Sequence, residues 1–106
     1  MPMSIPPKPK RSEQLLPKEC YFSDAWFERE HRELFSSSWT FACIVQDIPN
    51  AGDYKAVQIN RYAIIVVRAK DGSIKAYHNT CRHRGTTIVE KDGNCRHGIV
   101  CPYHAW

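Results

Sequence analysis

The sequence Cys81-Arg82-His83 is followed, after 17 intervening residues, by Cys101-Pro102-Tyr103-His104. Each stretch offers one thiolate and one imidazole, and both groups are common metal ligands in proteins. Gly85, just after the first pair, and Pro102, inside the second, are suited to tight turns. The two stretches therefore predict two ligand-bearing loops that together supply a four-ligand metal site.

The order of the ligands distinguishes between kinds of metal site. A [2Fe–2S] centre of Rieske type needs two Cys on one iron and two His on the other. Two loops that each give one Cys and one His can hold such a cluster, with one ligand from each loop on each iron. A structural zinc site usually separates its paired ligands by two to four residues and groups Cys with Cys. The mixed order favours the cluster, and zinc and unrelated core residues remain the alternatives.

A rival ligand pair lies close by. Cys95-Arg96-His97 has the same Cys-x-His spacing and ends three residues before Cys101. Three residues are too few to form a second opposed loop, so we interpret this segment as the strand that enters the second loop. Cys20 and Cys43, like Cys95, are interpreted as small buried hydrophobic residues.

Composition limits the classes of function. A chain of 106 residues with 42% hydrophobic residues predicts one small domain with a modest core. Three of the basic residues behind the net charge of +4 lie near the N-terminus, and the remainder of the chain has twelve basic and eleven acidic residues. This balance argues against a nucleic-acid partner. Without a signal peptide or a membrane span, a cytoplasmic location is expected, where cysteines serve as metal ligands more often than as disulfides.

The pattern along the chain predicts a mainly β fold. Residues 1–12, with four prolines, predict a disordered arm. Residues 13–38 predict a helical segment, with Ser23 as the N-cap of a helix over about 24–35. Residues 39–106 predict a small antiparallel β domain with turns at Asp71-Gly72 and Asp92-Gly93. Its strands are expected over residues 39–45, 54–59, 62–69, 74–78 and 97–100.

The segments 79–85 (NTCRHRG) and 101–106 (CPYHAW) resemble the large subunit of Rieske non-haem iron oxygenases, also called aromatic-ring-hydroxylating dioxygenases, and the resemblance extends through residues 20–106. It implies a small antiparallel Rieske-type iron–sulfur domain whose [2Fe–2S] cluster is held by Cys81, His83, Cys101 and His104. It also implies that this cluster passes electrons to a mononuclear non-haem Fe(II) in a following catalytic domain, which activates O₂ to hydroxylate or demethylate an aromatic or other small organic substrate.

The resemblance further implies partners and a subtype. Electrons would come from an NAD(P)H-dependent reductase, with or without a ferredoxin, and the full protein would be a trimeric homo-oligomer in which electrons leave through His104. Thr86 and Tyr103 stand where respiratory Rieske proteins have a disulfide, and Trp106 stands where they have a hydrogen-bonding serine. This predicts a cluster at the low end of the Rieske range. Ala105, where the family most often has Gly, is interpreted as a small change.

Two further expectations concern the extent of the chain. The remaining histidines do not form a second, catalytic iron site, and the chain is expected to be C-terminally incomplete, without its catalytic domain and not catalytically competent alone. A stand-alone Rieske ferredoxin remains the alternative function. Proteins of that kind generally lack a long segment before the first strand, so that residues 1–38 favour the oxygenase.

Overall fold

The computed structural model describes residues 15–106, and the predicted disordered arm over residues 1–12 lies outside them. The chain divides into two compact units with a boundary between Ser36 and Ser37. None of the helices within residues 15–106 has the length and apolar character that crossing a bilayer requires.

The first unit contains the predicted helix. A 3₁₀ turn over Lys18–Tyr21 precedes helix α1, Asp24–Glu30, and a π-helical turn follows over His31–Phe35. The Ser23 Oγ accepts a hydrogen bond of 3.4 Å from the N–H of Trp26 and so caps α1 as predicted. The predicted extent of the helix is confirmed, although its last five residues adopt the wider π form.

The second unit is built on a four-stranded antiparallel sheet with the strand order β3-β2-β1-β4. This confirms the mainly β fold class. The strands are β1 Asp53–Ile59, β2 Tyr62–Arg68, β3 Ile74–His78 and β4 Gly93–Asn94. The first three match the predicted strands closely, while β4 lies where the sequence predicted a turn.

Two hairpin turns set the register of the sheet. Ile59 pairs with Tyr62 across a two-residue turn, in which Asn60 has a positive φ of 56°, a conformation that Asn tolerates better than most residues. The predicted Asp71-Gly72 turn joins β2 to β3. Its Gly72 has a φ of 83°, and the Asp71 carboxylate accepts hydrogen bonds from both the N–H and the hydroxyl of Ser73.

Two predicted strands are wrong. Residues 39–44 have no neighbouring strand and lead into a 3₁₀ turn, Val45–Asp47. Their β-branched and aromatic residues favour a strand only where a neighbouring strand is present to pair with. Residues 97–100 form no strand because Gly98 has a φ of 97° and its N–H donates to the Cys95 carbonyl, which closes a turn. Cys95 and His97 are therefore turn residues and not strand residues.

The core of the second unit is centred on strand β2. Ile65 and Val66 are adjacent in β2 and both buried, so that the centre of this strand is covered on both faces, as its continuous apolar sequence predicted. Ile48 is fully buried as well. Cys81 and Cys101 belong to the same buried set, with 7% and 4% of their surface exposed. The core therefore reaches up to the candidate site.

Candidate metal centre

The first ligand loop is closed by two backbone hydrogen bonds. The N–H of Cys81 donates to the carbonyl of Thr86 at 2.7 Å, and the N–H of Gly85 donates to the carbonyl of Cys81 at 2.9 Å. Gly85 has a φ of 73°, a left-handed conformation that glycine adopts without steric cost. These hydrogen bonds fix both ends of the loop, and His83 lies between them.

Asn79 anchors this loop to the sheet. Its backbone N–H donates to the carbonyl of Ala63 in β2 at 2.7 Å. Its side-chain oxygen accepts from the N–H groups of Ile88 and Val89, each at 3.0 Å, and its side-chain NH₂ donates to the carbonyl of Val89 at 2.6 Å. Only 4% of Asn79 is exposed. Sequence reasoning missed this role, for which the signal was a single Asn directly after a strand and two residues before the first ligand.

The second ligand loop repeats the hydrogen-bond pattern of the first. The N–H of Cys101 donates to the carbonyl of Trp106 at 2.6 Å, and the N–H of Ala105 donates to the carbonyl of Cys101 at 3.0 Å. Ala105 has a φ of 58° and so occupies the left-handed conformation without being glycine. The two loops thus have the same turn, with the cysteine at the equivalent position in each.

The two loops bring their cysteines together in the interior. Cys81 and Cys101 are both buried and line the same cavity. The backbone N–H of Tyr103 points at the Cys101 sulfur and is the main reason that the pKa of this thiol is lowered; burial opposes the shift, and contacts with Cys81 and the His104 N–H assist it. A lowered thiol pKa favours the thiolate, which is the form that binds metals.

The two histidines meet at the surface. The rings of His83 and His104 have centroids 5.0 Å apart and planes inclined by 68°. Both residues are exposed, in contrast to the buried cysteines. The candidate site therefore has an inner pair of thiols and an outer pair of imidazoles, each pair drawn from both loops.

The four side chains form two pairs, one of buried thiols and one of exposed imidazoles. Within residues 15–106, no group of three or more His, Cys, Asp or Glu side chains is placed to hold a single metal ion. A mononuclear Cys₂His₂ zinc site needs all four ligands around one ion in a tetrahedron. A [2Fe–2S] centre of Rieske type needs two thiolates at one iron and two imidazoles at the other. The donor pairs present fit the second requirement.

The other histidines and cysteines lie outside the two ligand loops. His97 is exposed in the turn after β4, and His78 makes an edge contact with the ring of Tyr62, at a centroid distance of 5.7 Å. All five cysteines, which lie within the described residues, are free thiols. Cys95 is half-buried and lines an apolar cavity of about 640 Å³ that also touches Cys81 and Cys101.

Comparisons with known proteins find one matching family and several similar sequences. The family described as "Rieske [2Fe-2S] domain" matches residues 38–106. The chain is 39% identical over 97 residues to the glycine betaine monooxygenase oxygenase subunit of Chromohalobacter salexigens, covering 92% of this chain and 22% of that protein. It is 41% identical over 80 residues to the large oxygenase component of a naphthalene 1,2-dioxygenase system from Pseudomonas aeruginosa, covering 76% and 18%.

The fold is also similar to that of a solved structure. The crystal structure of a quaternary ammonium Rieske monooxygenase with γ-butyrobetaine superposes with a TM-score of 0.81 and 33% sequence identity. The match covers 85% of this chain and 26% of that one. The chain thus spans about a fifth to a quarter of the length of the proteins that it matches.

Proposed function

The chain belongs to the Rieske [2Fe–2S] domain family, and we propose that Cys81 and Cys101 bind one iron of the cluster while His83 and His104 bind the other. The observation that carries this assignment is the separation of the four side chains into a buried thiol pair and an exposed imidazole pair. Each pair draws one residue from each loop, as a cluster held between two loops requires.

The protein's own groups prepare the site for this cofactor. The N–H groups of Tyr103 and His104 stabilise the negative charge of the Cys101 sulfur. Hydrogen bonds to the sulfurs of an iron–sulfur centre tune its reduction potential. When bound, the cluster supplies reversible one-electron chemistry. The exposed edges of His83 and His104 then offer the shortest route for an electron between the centre and a docked partner.

We further propose that this domain is the electron-transfer portion of the terminal component of a Rieske mono- or dioxygenase. The relatives that support this are named as oxygenase subunits of both kinds. In this proposal an NAD(P)H-dependent reductase, with or without a ferredoxin, supplies electrons in the cytoplasm. The electrons leave through His104 to a mononuclear iron in another domain, within a trimeric assembly.

The relatives suggest two candidate substrate classes for the whole protein, quaternary ammonium compounds and aromatic compounds. Some relatives are named for glycine betaine or carnitine, and others for the aromatic compounds naphthalene and 2,4-dinitrotoluene. The coding sequence beyond Trp106 tests the oxygenase proposal directly. A downstream domain with two histidines and a carboxylate would support it, whereas a stop codon after one more hairpin would favour the ferredoxin alternative.

The cluster itself is tested by reconstitution. The purified chain is incubated anaerobically with ferrous iron, sulfide and a thiol reductant, and then assayed for iron, acid-labile sulfide and zinc. We expect about two irons and two sulfides per chain, with an electron paramagnetic resonance signal after reduction. Stoichiometric zinc without sulfide would instead support the mononuclear site.

A further inference from the structure

The indole of Trp106, on the second loop, stacks on the imidazole of His83, on the first. Their ring centroids are 4.7 Å apart and their planes differ by 1°. This distance is within the range of offset-stacked aromatic pairs. The contact crosses the site, because the two residues belong to opposite loops.

A second contact crosses in the other direction. The guanidinium carbon of Arg84, on the first loop, lies 5.9 Å from the ring centre of Tyr103 on the second, which is a cation–π distance. Tyr103 in turn contacts the ring of His104, with centroids 3.9 Å apart. Each imidazole therefore has an aromatic neighbour from the second loop. Aromatic stacking and a cation–π contact connect the two loops, and no disulfide joins them, since all five cysteines are free.

Stacking on the face of an imidazole is compatible with metal binding. The nitrogen lone pairs lie in the plane of the ring, so a partner on the face leaves them available. A parallel partner also restricts rotation of the imidazole out of its plane. The backbone carbonyl of Trp106 is separately fixed by the N–H of Cys101, so that the indole is held in place from the same loop end that presents the cysteine.

We propose that Trp106 is a positioning residue, whose indole sets the ring plane of His83 before any metal binds. This inference rests on the proposed function, because the ring plane of His83 matters only if His83 binds iron. One residue then links both loops to the site: its carbonyl holds Cys101 and its side chain holds His83.

A purely structural role for Trp106 is the competing explanation. Its side chain also lines the apolar cavity beside Ile65, Ile99 and the two buried cysteines, so truncation would expose apolar surface. Replacement by Leu keeps an apolar side chain at the cavity but removes the aromatic ring. Replacement by Phe keeps an aromatic ring, although a smaller one. The two substitutions therefore separate filling of the cavity from stacking.

The first experiment uses the metal-free chain with isotope-labelled histidine. A stacked indole shifts the ring C–H proton resonances of His83 upfield by its ring current. We expect this shift to be retained in part in Trp106→Phe and lost in Trp106→Leu. Trp39→Leu is the matched control, because Trp39 is fully exposed, and it should leave His83 unchanged. Identical His83 resonances in the wild type and Trp106→Leu would overturn the proposal.

The second experiment uses the reconstituted chain. In Trp106→Leu we expect altered g values, a shifted midpoint potential and a several-fold faster loss of iron to a chelator. Trp106→Phe should stay close to the wild type in all three. If the Phe and Leu variants lose iron equally and share the wild-type g values and potential, Trp106 only fills space. If the wild type itself assembles no cluster, the proposed function fails, and the resonances of the metal-free chain still decide the role of Trp106.

Discussion

Gly85 and Ala105 occupy equivalent positions in the two ligand loops, and both have a positive φ, of 73° and 58°. In each loop this residue donates its N–H to the carbonyl of the cysteine four positions earlier, Cys81 or Cys101. Glycine adopts this conformation freely, whereas a residue with a Cβ pays roughly 1–2 kcal/mol for it. The second loop therefore carries a backbone strain that the first loop avoids.

Ala105→Gly should relieve this strain. Replacing Ala by Gly also raises the entropy of the unfolded chain, which offsets about 0.4–1 kcal/mol of the gain. We expect the free energy of unfolding to rise by about 0.5–1.5 kcal/mol, measured by denaturant titration of the metal-free chain. Ala76→Gly in the exposed strand β3, where φ is ordinary, is the matched control and should lower stability by roughly 0.5–1 kcal/mol. A loss of stability in both variants would show that Ala105 is unstrained.

Gly85→Ala is the reverse experiment. A Cβ built on Gly85 meets no atom within 4 Å, so that any cost comes from backbone conformation alone. We expect the free energy of unfolding to fall by about 0.5–1.5 kcal/mol, because the conformational cost of about 1–2 kcal/mol is partly offset by the lower entropy of the unfolded chain. Cluster content after reconstitution should fall with it, since the loop that presents His83 is the one disturbed. An unchanged denaturation midpoint would contradict the equivalence of the two loops.

Asn79 is the residue on which the first loop depends for its attachment. Replacing it with Leu preserves its approximate size but leaves the N–H groups of Ile88 and Val89 and the carbonyl of Val89 without their partner. Each buried polar group left unpaired costs about 1–3 kcal/mol. We therefore expect Asn79→Leu to lower the free energy of unfolding by at least about 2 kcal/mol, as measured by thermal or denaturant unfolding.

The control for Asn79 is an exposed side-chain amide in the sheet. Gln58 is exposed in β1 and donates to the carbonyl of Asn60 at the surface. Gln58→Leu should change stability by no more than about 0.5 kcal/mol, as is usual for exposed positions. If the two substitutions had equal effects, the buried hydrogen bonds of Asn79 would not be the cause.

Those parts of the fold that depend on local pattern were predictable from the sequence. The continuous apolar run of β2 and the Asp71-Gly72 turn fix the central hairpin, and Ser23 fixes the start of α1. The segment 39–44 shows the limit of this reasoning, because β-propensity without a neighbouring strand produces no sheet. Gly98 was a visible signal against a strand over 97–100, and its positive φ is what breaks that segment.

At the site, residue types were predictable and their relationships were not. The paired Cys and His spacing predicted four ligands, and the structure brings them together as a thiol pair and an imidazole pair. The stacking of Trp106 on His83 depends on how two loops meet in space, which no local pattern encodes. The conformation of Ala105 is likewise set by the closure of its loop, so a substitution interpreted as small carries a backbone cost.

Substitution of single cysteines tests the ligand assignment against its rival. Cys81→Ser removes one thiolate of the buried pair, and we expect the iron and sulfide bound after reconstitution to fall at least about tenfold, since Rieske centres need both thiolates. Cys95→Ser is the matched control, because Cys95 lines the same cavity and lies outside both ligand loops. Loss of the cluster in Cys95→Ser, with retention in Cys81→Ser, would show that Cys95 and not Cys81 binds the cluster.

Replacement of an outer imidazole by a thiolate tests whether His104 binds iron. In the proposed cluster, His104→Cys would add one negative charge at the iron bound by His83 and His104, and a more negative cluster is harder to reduce. We expect a folded chain with altered g values and a midpoint potential below the Rieske range of roughly −150 to +300 mV, toward the value of about −400 mV typical of all-Cys ferredoxin clusters. Protein-film voltammetry and electron paramagnetic resonance measure both quantities. His97→Cys, in the exposed turn outside both loops, should leave them unchanged. An unchanged potential in His104→Cys would mean that His104 does not bind iron, and the outer ligand pair would have to be sought elsewhere.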